Sequence, residues 1–309
     1  MLARVALIAL NTYREAVRAR VLHGLFALAL ATGAYSFVVG AFALGNSTRV
    51  VSDFGSASIS LYSVIVAVVL GATSLYRELE LKTIFPILAR PVRRYEYLVG
   101  KYLGAVLTLS VFVTANAGAL MLALGQVDAP RLGAVASLLV AAVVVAIAAW
   151  RRPRVRTYLP IPCALGLFVG GYLLGGEVID DRRVIVGNAL LTLCEVGIVS
   201  ALATLFASFS TPFLTAVMTF GLFIVGRSAE TLASLPVKVF GPAIQGAGRF
   251  LSQVLPNLML YVPPRPLLTG EATGTSLPEY TALAALHALA WSAGLLAVAA
   301  LVFRRRDFL

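Results

Sequence analysis

Long runs of apolar residues alternate with short polar segments along the whole chain. Most runs are about 20 residues long, the length of an α-helix that crosses the roughly 30 Å hydrocarbon core of a bilayer. A β-barrel would instead show short segments of alternating polarity. The pattern therefore predicts an all-α integral membrane protein, a polytopic helix bundle. About eight spans are predicted, at 21–44, 58–76, 98–124, 132–150, 159–176, 187–207, 210–226 and 282–303.

Composition and charge support this interpretation. The 309 residues are 60% hydrophobic and only 13% charged, whereas soluble domains average about 25% charged residues. The net charge of +11 does not indicate a nucleic-acid partner, because the basic residues cluster in loops that share one side of the membrane. We predict a multi-pass protein of the inner (plasma) membrane with both termini in the cytoplasm. The basic segments are 4–20, 77–101, 151–156 and 304–306.

The segment 77–97 breaks the apolar pattern with charges and two prolines. Pro86 and Pro91 restrict the residues before them and end or kink helical turns, which favours a short, stiff element. A stripe of apolar side chains at helical spacing is formed by Leu81, Phe85 and Leu88. Such an apolar stripe, flanked by charged residues, favours docking into a groove on another protein. The alternative is a well-solvated loop.

The run "YRELELKTIFPILARPVRRYEYLVGKYLG" at 76–104 resembles the coupling region of permeases in the type-2 family of ATP-binding-cassette (ABC) transporters. Four other stretches are similar to parts of the same family, in the same order. They are the elbow helix "ALNTYREAVRARVL" (9–22), the inner turn "LFASFSTPFLTAVMTF" (205–220), the extracellular "VLPNLMLY" (254–261) and the closing span "LLAVAALVFRRRDFL" (295–309). The nearest subgroup includes the permeases of nitrous-oxide-reductase maturation and of gliding motility.

The resemblance implies an exporter permease without an ATPase site of its own. Two copies, or this chain with a sister permease, would form the pathway in the lipid bilayer. Separate cytoplasmic ATPase subunits would bind ATP and Mg, and a periplasmic or extracellular accessory protein is a further partner of this class. The sequence agrees that no nucleotide cofactor binds here, because Gly100-Lys101 is followed by Tyr102 and no phosphate-binding loop is present.

The resemblance also assigns regions within one permease domain, 1–309. We expect an elbow helix at 1–20, a coupling helix at 77–97 and an extra hairpin at 132–176 that typical members lack. The loop 227–281 would be extracellular, with short re-entrant helices that gate the pathway or simply lie on the membrane surface. The end of this loop, 263–281, is interpreted as an irregular exposed segment. The expected ATPase-coupling residues are Glu78, Glu80, Thr83, Phe85, Pro86, Arg90, Pro91 and Arg94.

Two polar residues inside predicted spans are further candidates, Glu195 and Asn116. An ionised side chain near the middle of a membrane helix costs about 2.5–3.5 kcal/mol on insertion scales. Glu195 should therefore face other helices or a wet cavity. It could contact substrate, or it could form an interhelical hydrogen bond. The bonding partners considered for it are Asn116, Asn188 and Thr192.

Catalytic and metal-binding motifs are not found in the sequence, so we predict a transporter subunit and not an enzyme. His23 and His287 lie in different spans without a ligand cluster. A lipid-modifying membrane enzyme is one alternative, and its nearest acidic group is Glu177, Asp180 and Asp181, interpreted as a solvated loop. An ATP-independent secondary transporter is another, but no internal repeat or matched pair of broken helices supports it.

Overall fold

A computed structural model describes residues 2–43, 45–80, 93–128, 136, 157–174, 179–271 and 276–305. Within these residues all regular structure is helical, which confirms the all-α prediction. A single 3₁₀ turn covers Leu258–Tyr261. The α-helices are α1 (Leu2–Arg18), α2 (Arg20–Ala41), α3 (Ser47–Glu80), α4 (Arg94–Asp128), α5 (Pro160–Leu174), α6 (Ile179–Ala207), α7 (Pro212–Arg227), α8 (Ala229–Ala233), α9 (Val237–Val254), α10 (Arg265–Thr269) and α11 (Leu277–Arg305).

Among the described residues, five helices are long and apolar enough to cross a membrane: α2, α3, α4, α6 and α11. The predicted spans at 159–176 and 210–226 correspond to the shorter apolar helices α5 and α7, of 15 and 16 residues. Apart from residue 136, the predicted span 132–150 lies outside the described residues. The starts predicted for two spans were wrong, because α3 begins at Ser47 and α6 at Ile179. Both helices extend through polar first turns, in which Arg49 of α3 and Asp181 of α6 have ion-pair partners.

The amphipathic helix α1 packs against the first half of α4. Its buried stripe follows helical spacing through Val5, Ala9, Tyr13 and Ala16. The contact needs a glycine, since a Cβ on Gly104 would lie 2.5 Å from the carbonyl oxygen of Ala9. We call this end of the bundle the N-terminal face.

The centre of the bundle is built from α3, α4 and α6, which pack closely through small residues. A Cβ added to Gly71 of α3 would lie 2.2 Å from the Cβ of Ala203 in α6. At Gly118 of α4 the added Cβ would meet the backbone of Leu167 in α5 at 2.5 Å. Small residues let membrane helices approach backbone to backbone and gain van der Waals contact. These contacts fix the order of the central helices.

The chain between α7 and α11 lies at the other end of the bundle, which we call the opposite face. Residues 257–270, named the strap here, pass across the ends of α6 and α7. Asn257 starts the strap, and its Oδ1 accepts a hydrogen bond of 3.0 Å from the backbone N–H of Met259. Gly270 ends it with φ of +87°, a conformation that favours glycine. The segment predicted as irregular and exposed therefore includes an ordered element.

Candidate functional site

A cavity of about 590 Å³ lies between α3, α6, α7 and the strap. Its volume falls in the range of roughly 300–1,000 Å³ that is usual for ligand pockets. Apolar side chains supply most of the wall. The polar lining residues are Asp53, Ser56, Ser60, Asn188, Thr192, Arg227 and Arg265. A mostly apolar wall with a few placed polar groups is typical of a site for a small or amphiphilic molecule.

At the base of the cavity, Arg227, Glu195 and Ser60 form what we call the deep cluster. The Arg227 guanidinium binds Glu195 in a bidentate manner, with Nε donating to Oε1 at 2.6 Å and Nη2 to Oε2 at 2.9 Å. Ser60 Oγ accepts from the same Nη2 at 3.0 Å and donates to Oε2 at 3.2 Å. The Glu195 side chain has no exposed surface, while that of Arg227 is 26% exposed. The pair thus keeps a buried carboxylate neutralised.

The short length of α7 explains why an arginine reaches this depth. Sixteen residues of α-helix measure about 24 Å, less than the roughly 30 Å of a bilayer core. Arg227 stands in the last turn of that helix, where unpaired carbonyl groups favour a cation. Its guanidinium also lies 5.5 Å from the centroid of the Phe223 ring. An arginine at the end of a short span is thereby placed inside the bundle.

Near the opposite face, Arg265, Asp181, Asp53 and Ser52 form the mouth cluster. Arg265 Nη2 donates to Asp181 Oδ1, and its Nη1 donates to Asp53 Oδ1 and, at 3.2 Å, to Ser52 Oγ. Ser52 Oγ also donates to Asp181 Oδ1 at 2.8 Å. Burial opposes the charge on Arg265, but the bonds and charges of the two aspartates outweigh it and raise the pKa of Arg265. The cluster ties the strap to α3 and α6.

Three further contacts hold the strap in place. Leu258 and Leu268 are buried, against α7 and α6 respectively. The Tyr261 hydroxyl lies 3.2 Å from the carbonyl oxygen of Ala284 and 2.9 Å from Nδ1 of His287, both in α11. Burial raises the pKa of Tyr261, so its hydroxyl stays protonated and can donate. The strap is therefore packed against the bundle and forms one wall of the cavity.

The predicted partners of Glu195 were wrong. Its carboxylate binds Arg227 and Ser60, and Asn116 instead donates from Nδ2 to the carbonyl oxygen of Phe112 within α4, at 2.8 Å. The solvated-loop interpretation of the acidic segment was also wrong for Asp181, which is only 5% exposed. Asp181 belongs to the first turn of α6 and binds Arg265.

Sequence reasoning missed Ser52, Ser60, Arg227 and Arg265 as site residues. A signal was available for Arg227, because it directly follows the predicted span 210–226. The signal for Arg265 was weaker. Arg265 stands between Pro264 and Pro266, and proline is well suited to the start of a helix, so these prolines were compatible with a short helix at Arg265. The two serines carried no recognisable signal, since serines recur along α3.

The predicted coupling residues are only partly described. Glu78 and Glu80 lie in the last turn of α3. Arg94 starts α4, and its Nη1 donates to the carbonyl oxygens of Phe303 and Arg304 at 3.2 and 2.8 Å. Arg94 therefore binds the end of α11 on the N-terminal face. The predicted coupling residues outside the described part of the chain are Thr83, Phe85, Pro86, Arg90 and Pro91.

Membrane-length helices around an internal cavity with buried ion pairs define a multi-pass membrane protein with a polar site inside the bundle. The chain belongs to the ABC-2 family of transporter proteins, whose family profile matches residues 6–308. It is thus the membrane permease component of an ABC transporter, a class that in general works with an ATPase. The family match does not show whether the chain belongs to the subgroup with the permeases of nitrous-oxide-reductase maturation and gliding motility, so that assignment stays a prediction. None of the curated proteins compared with the chain matches it.

Proposed function

We propose that this chain is the permease subunit of an ATP-driven exporter, working as a dimer or with a sister permease beside separate ATPase subunits. The observation that carries the proposal is the continuity of α3, combined with the family match. This one helix of 34 residues bears Ser52, Asp53 and Ser60 of both clusters, and it ends at Glu80 in the predicted coupling segment. From Ser60 to Glu80 is about 30 Å of uninterrupted helix.

In this proposal the N-terminal face is the cytoplasmic face. Basic residues of α1 and the basic end of α11 lie on it, as the positive-inside rule requires. Lys101 Nζ lies 3.3 Å from Glu15 Oε2, which joins α1 to α4. Because Arg94 also joins α4 to α11, the exit from the coupling segment is attached to both terminal helices. A push on that segment would move these elements together.

The proposed mechanism converts a shift of the coupling segment into opening of the cavity. Nucleotide-driven closure of the ATPase would move the coupling end of α3, which packs against α6 at Gly71 and Ala203. Ser60 and Asp53 would then shift relative to Glu195 and Asp181 on α6. The mouth cluster is the contact more easily exchanged for water, because Asp53 is 48% exposed. The strap would therefore act as the gate toward the outside.

The coupling step can be tested with Phe85→Asp, which places a charge in the apolar stripe. We expect binding of the partner ATPase to weaken by at least about 30-fold, as for a buried aromatic anchor. Membrane insertion should not change. The measurement is co-purification of tagged permease with that ATPase, followed by the ATPase rate in nanodiscs.

Phe42→Asp is the matched control, since Phe42 is 83% exposed at the end of α2 toward the opposite face. It should leave ATPase binding unchanged. Full binding and transport by the Phe85→Asp variant would exclude the docking proposal. Reversal of charge at Arg94 is a poorer test, because it would also detach α11.

A further inference from the structure

The cavity of the candidate site contains hydrogen-bond donors that the two clusters leave unused. Arg227 lines this cavity, and its bonds to Glu195 and Ser60 occupy only Nε and Nη2 of the guanidinium. Nη1 has no hydrogen bond among the described residues, and it is not one of their buried unbonded atoms. Ser56 Oγ, by contrast, is such a buried atom and is out of reach. A ligand in the cavity can therefore bind Arg227 through Nη1.

Two side chains of α6 continue this polar stripe toward the mouth cluster. Asn188 and Thr192 line the cavity and follow helical spacing with Glu195, at i, i+4 and i+7. Neither side chain has a hydrogen bond among the described residues, and their polar atoms are not among the buried unbonded ones. Thr192 is 3% exposed, so the little surface that it keeps faces the cavity it lines. From Asn188 to the level of Glu195 the stripe is about 10 Å long.

The rest of the cavity wall is mostly apolar. Its apolar residues belong to α3, α7, α10 and the strap, and they include Leu61, Phe223, Met259, Val262 and Leu268. Asp53 lines the same cavity and is 48% exposed, so the cavity reaches the surface at the mouth cluster. A ligand that fits this wall carries apolar side groups, and its hydrogen-bonding groups lie along the stripe of α6.

The charges of the site argue against an anionic ligand. The carboxylate of the deep cluster already neutralises Arg227, and Arg265 at the mouth binds two carboxylates, Asp181 and Asp53. Arg49 lies 3.9 Å from Asp53, but its side chain is 60% exposed. The cavity therefore offers donors without a spare positive charge, and a carboxylate buried there would stay uncompensated. An uncharged carbonyl oxygen accepts the same N–H groups without that penalty.

We propose that this cavity binds a short apolar peptide without a free carboxylate, such as a blocked or cyclic peptide. A backbone carbonyl oxygen accepts from Arg227 Nη1. A second peptide group pairs with the Asn188 amide, which both donates and accepts, and the Thr192 hydroxyl binds the backbone between them. An extended chain advances about 3.3 Å per residue, so about three residues cover the stripe. The inference rests on the proposed function, because it names the substrate class of the same site.

The first test compares N-acetyl-trileucine N-methylamide with N-acetyl-trileucine, which ends in a carboxylate instead. Titration calorimetry of the purified full chain in nanodiscs, corrected with empty nanodiscs, measures both affinities without an ATPase. We expect the N-methylamide to bind at least about tenfold more tightly than the acid. No saturable binding of the N-methylamide, or an equal or higher affinity for the acid, would overturn the proposal, and this comparison needs no variant.

Glu195→Gln then tests the charge argument. The glutamine keeps the size of the side chain but leaves Arg227 as an uncompensated cation, so the acid should now bind more tightly than the N-methylamide. An unchanged preference for the N-methylamide in the folded variant would overturn the proposal. If thermal unfolding shows that this variant does not fold, the comparison in the wild-type chain decides.

Asn188→Leu locates the peptide within the cavity. The substitution keeps a similar volume and removes the amide, so the N-methylamide should bind about fivefold more weakly, the loss of one net hydrogen bond. Gln253→Leu is the matched control, because Gln253 is an exposed amide of α9 that does not line the cavity. Equal binding by the two variants would place the peptide elsewhere and overturn the proposal.

The ATPase measurements separate this inference from the proposed function. If neither peptide binds while Phe85→Asp still weakens ATPase binding, the peptide proposal is wrong and the coupling proposal stands. If the N-methylamide binds as expected but does not change the ATPase rate of the assembled complex, the peptide site stands and export through this cavity is wrong.

Discussion

The deep cluster and the mouth cluster use the same three parts. Each joins a serine of α3, a carboxylate of α6 and an arginine from a third element. The serines are Ser60 and Ser52, the carboxylates Glu195 and Asp181, and the arginines Arg227 and Arg265. The two clusters thus fasten α3 to α6 twice, once inside the bundle and once at its opposite face.

The two clusters differ in how well water can solvate a charged side chain that loses its ion-pair partner. Glu195 has no exposed surface and one arginine partner. At the mouth, Arg265 has two carboxylates, and Asp53 is 48% exposed with Arg49 nearby. Breaking a buried ion pair leaves an uncompensated charge, whereas partly exposed charges are solvated when their partner leaves. We infer that the deep cluster serves stability, and that the mouth cluster can open during transport.

The largest expected effect is that of Arg227→Met, which leaves the Glu195 carboxylate buried without its cation. The free energy of unfolding should fall by about 3–5 kcal/mol. The double variant Arg227→Met with Glu195→Gln should recover most of it, because no charge then remains. Thermal unfolding of the purified permease in nanodiscs measures both. A loss below about 1 kcal/mol for the single variant would show that the pair does not stabilise the bundle.

The deep cluster also shows the limit of prediction from sequence. Apolar length was sufficient to place α2 and α11 within a few residues, and it identified Glu195 as a residue that needs a partner. The partner could not be predicted, because Arg227 is 32 residues away and was placed outside the span. Only the packing of α7 beside α6, combined with the shortness of α7, brings the two side chains together.

The starts of α3 and α6 were mispredicted for a related reason. Hydropathy assigns charged and polar residues to water, so Asp53 and Asp181 were placed outside the predicted spans. In the fold both belong to helices and meet the same arginine, Arg265. Ser52 and Asp181 are 129 residues apart, and no local pattern indicates such a contact. The polar ends of membrane helices are thus where sequence reasoning is weakest.

A smaller and more local effect is expected for Arg265→Met in the mouth cluster. Hydrogen bonds to charged groups contribute about 1.5–3 kcal/mol, and water can compensate Asp53. Global stability should fall less than in Arg227→Met, because the buried Asp181 keeps its hydrogen bond from Ser52 and lies in the first turn of α6, where the helix N-terminus favours a carboxylate. The strap should exchange its amide hydrogens faster. Hydrogen exchange detected by mass spectrometry over residues 257–270 is the measurement.

Arg249→Met is the control for that variant, because Arg249 is an exposed arginine of α9 without an ion pair among the described residues. It should leave exchange in the strap unchanged. If Arg265→Met instead lowers global stability as much as Arg227→Met, the distinction between the two clusters is wrong.

The smallest effect is expected for Arg49→Gln at the rim of the mouth cluster. Arg49 Nε lies 3.9 Å from Asp53 Oδ2, and the two side chains are 60% and 48% exposed. Exposed pairs of this kind contribute about 0.2–1 kcal/mol, so we expect the unfolding free energy to change by less than about 0.5 kcal/mol. In the Arg265→Met background the same substitution should cost more, because Arg49 would then be the remaining cation beside Asp53. Equal effects in both backgrounds would show that Asp53 does not couple the two arginines, and the mouth would then depend on the bond between Arg265 and Asp181.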